Sequence, residues 1–311
     1  MSVSLQRALE DYLTLRRALG YQLQSSGRLL AGFVRFAEHA GARTITTELA
    51  VAWARQPQGV APIRWSQRLG MVRGFARYLV TIDPETEIPP TDVLSARQQR
   101  TAPYIYSLEE IEALMDAARD LWPPVRAATM RAAIGLLAVS GMRIGELLAL
   151  DDGDLDIEDG VITATGKWGK QRQVPLHPTT VQALRAYQQT RDEYRPVRPT
   201  EALLITRHGD RLTKGAFLEA FRALLITVGL EGAGERERPR PHDLRHAFTV
   251  RTMINWHHAG VDIRRELPKL STYLGHVSPE STFWYLQAVP ELLELAARDL
   301  DQLLEEGREE R

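Results

Sequence analysis

Apolar residues recur at helical spacing through the first 80 positions of this 311-residue chain. Leu5, Leu9, Tyr12 and Leu13, then Leu15 and Leu19, form one stripe, and Gly20 predicts its stop. Ser25 or Ser26 is the expected cap of a second helix carrying Leu29, Leu30, Phe33, Val34 and Phe36, ended by Gly41. Thr46 or Thr47 is positioned to cap a short third helix that runs through Ala54 and closes at Pro57. A fourth is predicted from about Ile63 to Leu79, with Trp65, Leu69, Val72, Phe75 and Tyr78 on related faces. Four short helices make a small bundle.

The period then fails. Residues 83–106 keep no steady period and contain Pro84, Pro89, Pro90 and Pro103, as a linker would. Ser107–Glu110 (SLEE) is a capping box that opens a new helical region, Leu108–Ala118 and Val125–Val139. Strand character is confined to Gly160–Thr165 and Gln171–Leu176, which flank Gly166–Lys170 as a hairpin, with a short strand expected at Asp154–Ile157. Leu203–Thr206 reads as an isolated strand or a buried turn. Helical pattern returns from about Lys214 to Leu304, broken by the polar Gly232–Pro241. The expected fold is mainly α with a small antiparallel β-sheet. Its expected parts are a helical N-terminal domain (1–82), a linker (83–106), a second domain (107–296) and an acidic tail (297–311).

Composition adds exclusions. The chain has no Cys, which removes disulfides, thiolate zinc sites and thiol catalysis. The N-terminal twenty residues carry charges throughout, unlike a signal peptide, and no run approaches the ~20 apolar residues of a membrane span, so a cytoplasmic protein is expected. The formal net charge of −1 speaks at first against a nucleic-acid partner. Resolved along the chain, it is a sum of opposites. Residues 1–80 hold eleven Arg, no Lys and four acids, a net of +7, whereas residues 291–311 hold eight acids and three Arg, a net of −5. A general preference for Arg accounts for part of this, since only four Lys occur, but not for the asymmetry of sign.

Four places carry candidate chemistry. In SGMRIGELLAL, Arg143 stands between two helical stretches, either as a solvated surface residue or with its fork beside helix N-terminal amides, where both can face one anion. Lys167 and Lys170 sit in the hairpin turn, ordinarily a solvated place, though Lys is rare in this chain. In PHDLRHAF, His242, Arg245 and His246 share one helix face; the two His have metal-ligand spacing, but Asp243 stands where a metalloprotease would need Glu. In YLGHVSPESTFWYLQ, His276 follows Gly275, and Tyr285, beside Phe283 and Trp284, is either core or a nucleophile. Taken together, cationic and proton-carrying groups around one phenol suit a phosphodiester transition state. Arg forks neutralise the non-bridging oxygens, Lys protonates a leaving oxygen, and a phenol of pKa near 10 needs such surroundings to attack. No carboxylate cluster suggests a two-metal site and no G-x-x-x-x-G-K-[ST] loop suggests ATP.

In order and approximate spacing, GMRIGEL, TGKWGKQRQVPL, HDLRH, LGH and TFWY resemble the motifs of the tyrosine recombinases, the phage integrase family that includes the Xer recombinases and Cre. The resemblance covers about 105–296; the N-terminal part looks like the family's SAM-like core-binding domain by size and position. It implies catalytic roles for Arg143, Lys167, His242, Arg245 and His276, with Tyr285 as nucleophile. It implies site-specific cutting and rejoining of double-stranded DNA through a 3′-phosphotyrosyl link, with neither metal, ATP nor other cofactor. It also implies a homotetramer, or an assembly with related recombinase protomers, on two DNA sites, serving recombination or integration of mobile elements. The acidic segment after Ala288 would be the C-terminal helix that docks on a neighbouring protomer. Departures are a long stretch between Arg245 and His276, containing HHAGVDIRRELPK, and Gln287 where many members have His. Three other readings fit parts of the same pattern: a type IB-like DNA topoisomerase, a non-enzymatic DNA-binding regulator, and a zinc hydrolase using His242 and His246.

Overall fold

The computed structural model describes residues 4–21, 23–96, 103–166, 169–230 and 239–275. The chain divides into two compact units between Thr101 and Ala102.

The first unit is built on four helices: α1 (Leu5–Ala18), α2 (Gln24–His39), α3 (Thr47–Arg55) and α4 (Pro62–Leu79). Their apolar stripes meet around Leu9, Phe33, Trp53, Leu69 and Phe75, all buried. Ser4 caps α1 through the Arg7 N–H, and Gly20 follows the helix with φ of 87°. Thr46, rather than Thr47, caps α3. The expected cap of α2 is corrected: Ser25 and Ser26 lie inside the helix, and Leu23 precedes it in the left-handed region with no side-chain cap bond. Leu23 packs against the bundle core, so the chain turns there to bury an apolar group rather than to offer a hydroxyl. The proline-containing segment after α4 is fastened to the bundle. Arg73 donates to the carbonyls of Pro89 and Pro90 at 2.6 and 2.7 Å, and the Thr47 N–H donates to Glu87 at 2.7 Å.

The second unit opens at α5 (Leu108–Ala117), where Ser107 and Glu110 form the predicted capping box. Next come α6 (Pro124–Ser140), α7 (Ile144–Ala149), strands β1 (Leu155–Asp156), β2 (Val161–Thr165) and β3 (Gln171–Pro175), then α8 (Pro178–Tyr194), α9 (Lys214–Thr227), α10 (Pro241–His258) and α11 (Ile263–Leu274). The strands form one antiparallel sheet in the order β1-β2-β3, with Thr165 opposite Gln171 and Ala164 opposite Arg172. Helix α6 is apolar on nearly every side and buries Met130, Ala133, Ile134 and Leu137 at the centre of the core, as a helix enclosed by others must.

Helix α8 lies in a stretch for which the sequence pattern gave no element. Pro178 starts it, and its inward face is only Leu184, Tyr187 and Arg191. Arg191 is buried because it donates to Asp152 at 2.6 Å and to the Leu203 carbonyl at 2.9 Å. Leu203–Ile205 is buried and bordered by isolated bridges, Asp151 with Ala202 and Ile205 with Arg211. The long stretch after Arg245 is helical on both sides of a turn at Gly260, whose φ is 67°. Among the described residues, no helix is long and apolar enough to cross a membrane. The expected tail, 297–311, and the helical continuation from 276 to 304 lie outside the described residues.

Candidate active site

Helix α6 ends on Gly141 in the left-handed region, φ 59°. Two residues on, Arg143 stands at the start of α7. Its backbone N–H donates to Glu146 Oε2 at 2.9 Å and its Nη1 to Oε1 at 2.7 Å. Glu146 therefore occupies part of the helix start that an anion was expected to face. The second branch of Arg143, Nη2, donates to the Gly275 carbonyl at 2.6 Å, so the side chain spans from α7 to the end of α11.

Glu146 is 5% exposed and is held by a third group, Arg172 Nη2 of β3, at 2.8 Å. Burial alone would raise its carboxyl; the bonds from Arg172 and from the Arg143 backbone and side chain overcome this and bring it down to about 2. Arg245, 2% exposed on α10, donates to the carbonyls of Gly141 at 2.7 Å and Leu274 at 2.8 Å. The two arginines, from α7 and α10, thus grip consecutive carbonyls at the C-terminal end of α11, where a helix presents its negative pole. The helix closes there on Gly275, in the left-handed region at φ 67°. A Cβ on Gly275 would lie 3.4 Å from Arg143 Nη1 and 3.5 Å from Arg172 Nη1, ordinary contact distances, so it is the left-handed backbone that calls for glycine between the two guanidiniums.

His242 lies in the first turn of α10 and His246 one turn on, their rings edge to face with centroids 4.8 Å apart. His242 is exposed. Desolvation, with the nearby Arg245, Arg240 and Arg143 charges, nevertheless lowers its imidazole to about 4. It is therefore neutral at pH 7 and can accept a proton. The Asp243 carboxylate between them is buried, accepts from the Arg240 N–H at 2.8 Å, and lies 3.9 Å from His246 Nε2. Among the described residues, no group of three or more His, Asp or Glu side chains could hold a metal ion.

Of the six predicted site residues, Arg143, His242 and Arg245 come together here. Lys167, His276 and Tyr285 lie outside the described residues. The alternative hairpin lysine, Lys170, is exposed, and its carbonyl accepts from the Gly166 N–H at 2.8 Å across the base of the turn. Two residues at the centre of the cluster, Glu146 and Arg172, were not among those predicted. Both lie inside the motifs (GMRIGEL and GKQRQVPL), and an acid three residues after Arg143 is the available sequence signal for one of them.

Comparison with known proteins shows the family. Residues 106–291 match the phage integrase family. The chain is 41% identical over 308 residues to the "Putative integrase/recombinase y4rB" of Sinorhizobium fredii, covering 96% of this chain and 98% of that protein. It is 31% identical to the tyrosine recombinase XerC of Pelotomaculum thermopropionicum, over 78% of this chain and 76% of that one. In fold it resembles the Tn1549 transposon integrase solved with transposon right-end DNA, with a TM-score of 0.69 at 15% identity over 97% of this chain and all of that one. The chain therefore belongs to the phage integrase family, the tyrosine recombinases.

Proposed function

We propose that the chain cuts and rejoins double-stranded DNA at specific sites with Tyr285 as its nucleophile. The phenolic oxygen bonds to the scissile phosphorus while the bond to the 5′ oxygen breaks. The phenol proton passes to neutral His242, and Lys167 gives a proton to the departing oxygen. Arg143 and Arg245 neutralise the non-bridging oxygens, and His276 adds a further donor. A 5′-hydroxyl of a partner strand then attacks the phosphotyrosine, releasing the phenol. Bond energy stays in the covalent link, so the cycle is balanced without metal or ATP. Four copies acting on two duplexes would complete the exchange, with the arginine-rich residues 1–80 supplying much of the backbone attraction.

The observation that supports this most is the convergence of Arg143 and Arg245, 102 positions apart in the chain, on the adjoining carbonyls of Gly275 and Leu274. The test is a library of nicked suicide duplexes with mapping of the covalently trapped ends. Adducts at one defined sequence are expected, and Tyr285→Phe should bind the same DNA without forming them. Adducts that persist in that variant, or relaxation of a plasmid irrespective of sequence, would overturn the reading.

A further inference from the structure

We propose that Arg172 is a positioning residue of the strand-transfer reaction: it fixes Glu146, and through Glu146 keeps Arg143 aimed at the scissile phosphate. The proposal rests on the assignment of Arg143 as a phosphate ligand.

The two oxygens of Glu146 are divided. Oε1 takes Arg143 Nη1 at 2.7 Å, and Oε2 takes Arg172 Nη2 at 2.8 Å and the Arg143 N–H at 2.9 Å. Arg143 bonds both oxygens, one through its side chain and one through its backbone N–H; Arg172 adds a second cation on Oε2, so the carboxylate cannot turn without breaking a further charge-assisted bond. The hairpin supplies the second cation. Ladder pairing of Arg172 with Ala164 sets its backbone beside the acid. Arg172 is not a solvated group that happens to reach an acid. Its side chain is 15% exposed, and its Nε is covered without a hydrogen-bond partner. Its Nη1 and that of Arg143 flank the same point beside Gly275. Hairpin, α7 and the end of α11 thus meet in one arginine–glutamate–arginine bridge.

The test uses the full chain on a nicked duplex carrying the cleavage sequence that the library defines. The scissile group is either the ordinary phosphodiester or a methylphosphonate, in which a methyl replaces one non-bridging oxygen and removes the charge that a guanidinium would neutralise. Arg172→Gln should form covalent adduct up to about a hundredfold more slowly on the diester, with unchanged DNA affinity. Its deficit should shrink about tenfold on the methylphosphonate, as should that of Arg143→Ala. Arg172→Lys, which restores a cation beside Glu146, should recover part of the diester rate, and it takes over the two-substrate comparison if the Gln variant does not fold. An equal deficit on both substrates for the Arg172 variants, with that of Arg143→Ala still shrinking, would overturn the proposal alone. Equal deficits for Arg143→Ala would overturn the assignment of Arg143, and the proposal with it.

Discussion

The guanidinium of Arg245 lies 2.8 Å from the carbonyl oxygen of Leu274, across 29 positions of chain. Its other branch reaches Gly141, 104 positions away. One side chain on α10 therefore joins the ends of α6 and α11, and it does so fully buried. Removing it leaves two carbonyls without their charged donor.

Arg245→Ala should lower the unfolding free energy of the second unit by about 3 kcal/mol, because hydrogen bonds from a charged donor contribute about 1.5–3 kcal/mol each. Arg245→Lys, able to keep one of the two bonds, should lose about half as much. Urea denaturation at pH 7 measures both. Equal stability of the Lys variant and wild type would show that the second bond contributes nothing.

Glu146 gives stability a defined acid dependence. Its carboxyl is held at about 2 against an ordinary 4.5. A lowered carboxylate stabilises the fold fully above the ordinary value, and that contribution is lost as pH falls from 4.5 towards 2. Glu146→Gln should flatten this part of the stability–pH curve, by about 3 kcal/mol at most. Melting curves from pH 6 to 2.5 that run parallel for the two proteins would contradict this.

His242 should titrate near 4 rather than 6.5 in the DNA-free protein, because its neutral form is favoured by desolvation and by the Arg245, Arg240 and Arg143 charges. The sign follows: the unfolded chain takes up this proton first, so its contribution to stability is complete above 6.5 and declines as pH falls towards 4. Imidazole resonances followed by NMR give the midpoint directly. Binding DNA, which brings phosphate charge, should move it upward. A free-protein midpoint at 6.5 would show that burial and the three arginine charges leave this imidazole unshifted.

Gly141→Ala should destabilise by about 2–4 kcal/mol, the sum of a left-handed backbone and an overpacked contact. The residue has φ of 59°, and a Cβ would sit 2.6 Å from the Phe248 ring. Gly145→Ala is the matched control, since a Cβ there meets nothing within 4 Å. A calorimetric comparison in which both variants melt alike would refute the contact argument.

Much of the architecture was legible in the chain because burial is periodic. The four N-terminal helices, the SLEE start of α5 and the hairpin follow from apolar spacing and turn residues. Helix α8 was not, because one of its three inward positions is a charged residue, Arg191, made acceptable only by Asp152 and Leu203 from elsewhere in the fold. The cap at Leu23 was missed for the converse reason: an apolar contact, not a hydroxyl, decides where α2 begins. Arg143 and Arg245 stood out as arginines in unusual settings. Arg172 did not, because only the pairing of β3 with β2 brings it beside Glu146.

The bridge at Glu146 carries two guanidiniums for one carboxylate. Among these three groups one positive charge is left over, and holding like charges together opposes the compact state. Anything that binds only the folded form and carries the missing negative charge must then raise the melting temperature as well. Phosphate or sulfate at matched ionic strength should therefore protect the fold better than chloride, and a DNA duplex better still. Thermal tolerance of this enzyme becomes a property of the company it keeps: loosest when it diffuses alone, firmest when it is seated on its substrate.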